Sequence, residues 1–140
     1  MQLDPRNDGA YYNRAMCLIN ERDFFAAKQD LSMVLRLDRK VDVECLVKRA
    51  YCSRLLGDFK ACSGDMELAQ SECLRGASQV PEFVSIHKYI AQQNIIKKNF
   101  PAAIGGLSAA ISVLPEEMTP PLRLWRSLAY FSAGRAHDYI

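Results

Sequence analysis

A chain of 140 residues, 49% hydrophobic and 24% charged, is long enough to bury a continuous core and has the composition of an ordinary folded domain. Its net charge of +2 is too small to predict nucleic-acid binding, no apolar run approaches the ~20 residues that cross a bilayer, and the N-terminus lacks the basic-then-apolar pattern of a signal peptide. Five scattered cysteines with no C-x-x-C pair point to buried, reduced thiols rather than zinc or redox chemistry, so a cytoplasmic location is expected.

The opening "MQLDPRN" (1–7) reads as the last phrase of a preceding unit. A first helix is predicted in "AYYNRAMCLINE", and a second in "DFFAAKQDLSMVLRLDRK" from Asp23. "ECLVKRAYCSRLL" and "DFKACSGDMELA" repeat the pair, with Asp58 ahead of the second member. "SIHKYIAQQNIIKK" and "NFPAAIGGLSAAISVLPEE" repeat it again from Asn99. After "TPP" (119–121) comes one more helix, "LRLWRSLAYFSAG", predicted to be capped by Thr119 and opened by Pro120. The closing "HDYI" reads as the cap and aromatic of a further helix, with His137 in an exposed turn.

Aligning the phrases on Phe24, Phe59 and Phe100 gives intervals of 35 and 41 residues, which is the signature of stacked repeats. Three residues after each aromatic stands Ala27, Cys62 or Ala103; seven after, Leu31, Met66 or Leu107; ten after, Val34, Ala69 or Ala110. That spacing keeps one helical face apolar, with a small residue where a neighbouring helix comes close. Nine residues before each aromatic lies Ala15, Ala50 or Ala91, the matching small residue of a leading helix. Asp23, Asp58 and Asn99 stand where an N-cap oxygen is needed, and Pro101 fits a first turn. The six extra residues of the second interval belong in "SECLRGASQVPEF", as an extended trailing helix or a longer loop.

Each unit is therefore a helical hairpin: 8–40, 41–80 with an extended end, 81–116, and a leading helix in 117–140, together read as one domain. In combination Tyr11, Ala15, Leu18, Phe24, Ala27 and "LRLDR", then Ala50, "LLGDF" and Ala69, then Ala91, "NF", Ala103, Ala110 and Pro115, resemble the tetratricopeptide repeat. Trp125, Leu128 and Ala129 continue the pattern in the last helix. Arg14 and Arg49 depart from it where Leu is usual, and Arg39 where a closing proline is. The resemblance implies an all-α fold, a right-handed superhelical solenoid of antiparallel helical hairpins. Both ends look cut within a repeat, so a piece of a longer array is expected.

No catalytic constellation is found, and no enzyme activity, cofactor or metal is expected. His87 falls at a bulky packing position, "DMELAQSE" reads as a solvated acidic helix face, and the glycines of "AAIGGL" are placed to allow close helix packing. The concave side of such a solenoid is lined by leading helices, and helical geometry turns specific residues toward it. These are Tyr12, Asn13, Met16 and Asn20, then Glu44, Lys48, Tyr51 and Arg54, then Lys88, Tyr89 and Gln92, then Arg123, Arg126 and Tyr130. Five cations face one acid among them. A non-catalytic scaffold that binds an acidic, extended peptide or protein segment is the expected function.

"YYNRA" is also similar to the middle repeat of the two-carboxylate clamp of co-chaperone members, with Asn13 and Lys48 at matching places; Glu44 stands where that clamp needs a lysine. Two other readings are a structural spacer or self-association module and an RNA-binding helical repeat, the latter opposed by the low net charge and the "LDP" phrase. The last helix, with Leu124, Trp125, Leu128 and Phe131, is expected to be covered by a following helix or by a second copy of the chain.

Overall fold

A computed structural model describes residues 6–38 and 42–138, with side chains through residue 134. The described residues form seven α-helices: α1 (Asp8–Asn20), α2 (Phe24–Leu37), α3 (Val43–Leu55), α4 (Phe59–Ser78), α5 (Phe83–Ile96), α6 (Phe100–Val113) and α7 (Pro120–Asp138). A single 3-10 turn, Glu116–Met118, joins the last two, and no described residue is in a strand. The chain divides into two compact units, Met1–Glu82 and Phe83–Ile140. The expected remnant of an earlier unit in 1–7 and the departure at Arg39 fall largely or wholly outside the described residues.

The helices begin where the sequence supplies a cap. Asn7, Asp23, Asp42 and Asp58 each accept a hydrogen bond from the backbone N–H three residues on, at 3.0, 3.3, 3.0 and 3.1 Å. Each such bond satisfies an N–H that no helical carbonyl can reach and adds ~1 kcal/mol. Two expected caps behave otherwise. Asn99 occupies the cap position of α6 without a side-chain bond. The Thr119 hydroxyl donates to the Glu116 carbonyl at 2.8 Å, closing the 3-10 turn before α7 rather than capping α7.

All three hairpin turns share one geometry. Arg22, Gly57 and Lys98 take φ of 63°, 78° and 62°, the left-handed conformation that ends a helix. Their N–H groups donate to Ile19, Arg54 and Ile95 at 3.0, 3.1 and 3.0 Å, and the next residue donates to Leu18, Ser53 or Asn94 at 2.8 Å. That is the paired Schellman closure of a helix C-terminus, and the residue completing it stands at the N-cap position of the following helix, where Asp23 and Asp58, but not Asn99, also accept a side-chain bond. Three residues reverse the chain, so the two helices of each hairpin run antiparallel.

In the first unit α1 packs on α2, α2 on α3 and α3 on α4. Ala15, Ala27, Ala50, Cys62 and Ala69 are completely buried at the predicted close-approach points, as are Leu31 and, at 1% exposure, Met66. Cys45 and Cys52 of α3 join the cluster of Ala15, Ala27, Leu31 and Val34, so the two hairpins of this unit share a core. In the second unit α5 packs on α6, and α7 packs on both. Ala91, Ala103, Leu107 and Ala110 are buried there. Gly105 and Gly106 play no part in close packing, contrary to expectation, since a Cβ at either would meet nothing within 4 Å.

The extra residues of the second interval form a bent extension. Helix α4 runs 20 residues where α2 and α6 run 14, a six-residue excess, and Cys73 breaks it with φ −161° and ψ 95°. The segment before the break, 59–72, has the length of the other trailing helices. Beyond it the Cys73 Sγ accepts from the Gly76 N–H at 3.2 Å, so the sulfur caps the short turn that follows. A Cβ on Gly76 would lie 3.2 Å from that sulfur, a tight contact that a larger residue could make only if the Cys73 side chain shifted. At the other end α7 continues through Asp138, placing His137 within the helix rather than in a turn.

Candidate functional site

The two arginines that depart from the repeat pattern form the strongest polar feature of the first unit. Arg14 grips Asp30 through Nε and Nη2 at 2.7 and 2.6 Å, and Arg49 grips Asp65 in the same forked way at 2.8 and 2.8 Å. The partners are 16 residues apart in both cases, each joining a leading helix to its own trailing helix. Arg49 also donates to Ser32 of α2 at 3.2 Å. Asp30 and Asp65 are 4% and 9% exposed, so "DMELAQSE" is solvated only in part: its first acid turns inward. The signal was legible as two acids six residues after Phe24 and Phe59, in register with two arginines. In the third hairpin the equivalent positions hold Ile90 and Gly106, an apolar replacement of the whole pair.

Of the predicted groove residues in the first unit, Asn13 and Asn20 are exposed, whereas Met16 and Tyr12 are half-buried against the shared core. The Tyr12 hydroxyl donates to Glu44 at 2.7 Å, and burial together with that carboxylate pushes its pKa well above the ordinary phenol value. Lys48 donates to Glu82 at 2.7 Å, with side chains only 13% and 20% exposed, so its charge is balanced within the unit. Tyr51 meets Phe24 edge to face at 6.2 Å. With Asn20, Arg22, Leu55 and Glu82 this pair lines a cleft of about 410 Å³, and Arg54 is half-buried.

In the second unit Lys88, Gln92 and Arg123 are exposed, Tyr130 is 57% exposed and Tyr89 is half-buried. Arg126 leans on α6, donating to Ser108 at 3.3 Å. Lys88 and Arg123 stand on α5 and α7, which pack together, and neither makes an ion pair among the described residues. Counted in the sequence, this unit holds six Lys and Arg against three Asp and Glu, whereas the first holds twelve against thirteen. No acid occurs from residue 83 to residue 115. The excess positive charge of the chain thus resides in its second unit.

His87 packs as expected: it is 4% exposed, its ring lies 4.4 Å from that of Phe83, and burial pulls its pKa down to about 4. The thiols only partly match expectation. Cys45, Cys52 and Cys62 are buried, with pKa values pushed up by burial to about 12, 11 and 12, but Cys17 and Cys73 are exposed. Among the described residues no group of three or more His, Cys, Asp or Glu is placed to hold a metal ion, and no helix is long and apolar enough to cross a membrane. No family model, curated protein or solved structure matches the chain.

Proposed function

We propose that the chain is a non-catalytic interaction scaffold of the tetratricopeptide type, a right-handed solenoid whose leading helices bind an acidic, extended segment of a partner protein. The repeated Schellman-and-cap turn and the buried alanines at equivalent positions support the repeat reading. The observation that carries the binding reading is the pair of exposed cations, Lys88 and Arg123, on two packed leading helices in a unit with few acids. Carboxylates in a partner complement these charges, Gln92 offers amide hydrogen bonds, and the Tyr130 ring offers apolar surface. Lys48 contributes less than its sequence position suggests, because Glu82 already neutralises it.

The test uses a fluorescein-labelled peptide of alternating Glu and Pro, which stays extended. Its binding to the full chain is expected to weaken as salt rises and to fall ~10-fold or more in the double reversal Lys88→Glu, Arg123→Glu, with helicity unchanged. Binding that survives the reversal would refute this site.

A further inference from the structure

Two kinds of short ion pair occur in the first unit. Arg14 with Asp30 and Arg49 with Asp65 are forks of two hydrogen bonds, each between the two helices of one hairpin. Lys48 with Glu82 is a single bond of 2.7 Å, and its acid comes from residues 79–82, the non-helical connector between α4 and α5. A guanidinium fork fixes its carboxylate in one plane, whereas an ammonium is a point charge with rotatable donors that can exchange one carboxylate for another. Of these pairs, Lys48 with Glu82 is the one built for exchange.

Glu82 also stands in the predicted groove. It lines the cleft of about 410 Å³ together with Asn20 and Tyr51, both read from the sequence as groove residues. Leu55, 40% exposed, lines the same cleft and marks its solvent side. The Glu82 carboxylate therefore sits beside a groove cation and a groove aromatic, where an acidic residue of a partner would be held.

We propose that Glu82 is an internal stand-in for a partner's carboxylate, a self-contact that covers Lys48 until an acidic partner segment displaces it. The inference rests on the acidic-segment reading and adds regulation to it. Exchanging carboxylate for carboxylate leaves no buried charge unpaired, so displacement avoids the large cost of breaking a desolvated pair. What opposes it is the tether: Glu82 belongs to the same chain and is always at high local concentration. A lone carboxylate loses that competition, and a segment carrying several offsets it. Displacement also frees the connector from α3, so binding is felt in residues 79–82, directly before α5.

The probe is the labelled Glu-Pro peptide on the full chain. Glu82→Gln keeps the size of the side chain, removes its charge and is expected to tighten peptide binding ~3-fold or more. Glu67→Gln, which removes an exposed acid of α4, changes net charge equally and should not match that gain. Lys48→Met with Glu82→Gln restores the wild-type net charge and should bind no tighter than wild type. In wild type, saturating peptide should speed amide hydrogen exchange in residues 79–82 by ~3-fold or more, which makes the same test if Glu82→Gln fails to fold. Unchanged affinity in Glu82→Gln, an equal gain in Glu67→Gln, a gain retained without Lys48, or connector exchange indifferent to peptide would overturn the proposal. No binding by wild type or by Glu82→Gln would overturn it together with the acidic-segment reading. Binding that the Lys88→Glu, Arg123→Glu reversal abolishes but Glu82→Gln leaves unchanged would overturn the stand-in alone. A Lys48-dependent gain in a chain whose binding survives that reversal would support the stand-in and count against the second-unit site alone.

Discussion

At His87 burial sets chemistry in a way that stability can report. The unfolded chain protonates this imidazole near pH 6.5, whereas the folded chain holds it neutral down to about pH 4. Folded protein therefore binds fewer protons between these values, and stability is greatest above pH 6.5 and declines as pH falls toward 4. Replacing His87 with Phe keeps an aromatic ring beside Phe83 and removes the titration. Between pH 7.5 and pH 5 wild type should lose ~2 kcal/mol more than His87→Phe, measured by urea denaturation at the two values. Equal losses would mean that water reaches the ring.

The hairpin turns make a second residue-scale case. Arg22 and Lys98 adopt a conformation that costs a side-chain-bearing residue ~1 kcal/mol, whereas Gly57 adopts it freely. Lys98→Gly is expected to stabilise the chain by ~0.5–1 kcal/mol and Gly57→Ala to destabilise it by about 1 kcal/mol, read as opposite shifts of the urea midpoint. Shifts of the same sign would contradict the shared turn geometry.

Between elements, the Arg–Asp forks hold leading helix to trailing helix in the first two hairpins, and apolar packing does so in the third. Arg49→Ala leaves Asp65 at 9% exposure without its guanidinium and should cost ~1–3 kcal/mol. Arg49→Ile combined with Asp65→Ala imitates the third hairpin, removes both charges together and should recover most of that loss. A double-mutant cycle on thermal unfolding measures the coupling; additive losses would show that the fork contributes nothing beyond its separate parts. The Cys73 break is the other element-scale device. It keeps the trailing helix at 14 residues of regular structure and starts a short capped turn, so six added residues leave the repeating hairpin intact.

Across the whole molecule each unit buries its own row of small residues, and the two differ in charge. The first carries nearly balanced charges with several cations already paired, while the second concentrates exposed cations beside an exposed apolar helix face. The proposed peptide binding is therefore expected in the second unit first.

Local rules determined the helices, their starts and the alanines at closest approach, because periodicity and capping act over three to ten residues and leave their mark in any short window. The sequence also contained the Arg–Asp register, which becomes visible once the two departures from the repeat are read with the acids sixteen residues on. Tertiary structure alone decided which charges remain exposed. Lys48 is balanced by Glu82, 34 residues away, and Tyr12 is tied to Glu44, 32 away; side-chain direction on an isolated helix cannot reveal a partner supplied by another. It likewise decided that Gly105 and Gly106 face open space, that Asp65 turns inward, and that Leu124 and Leu128 stay in solvent. Each of these depends on which face of a helix its neighbours cover, and that is set by packing between elements rather than by the pattern within one.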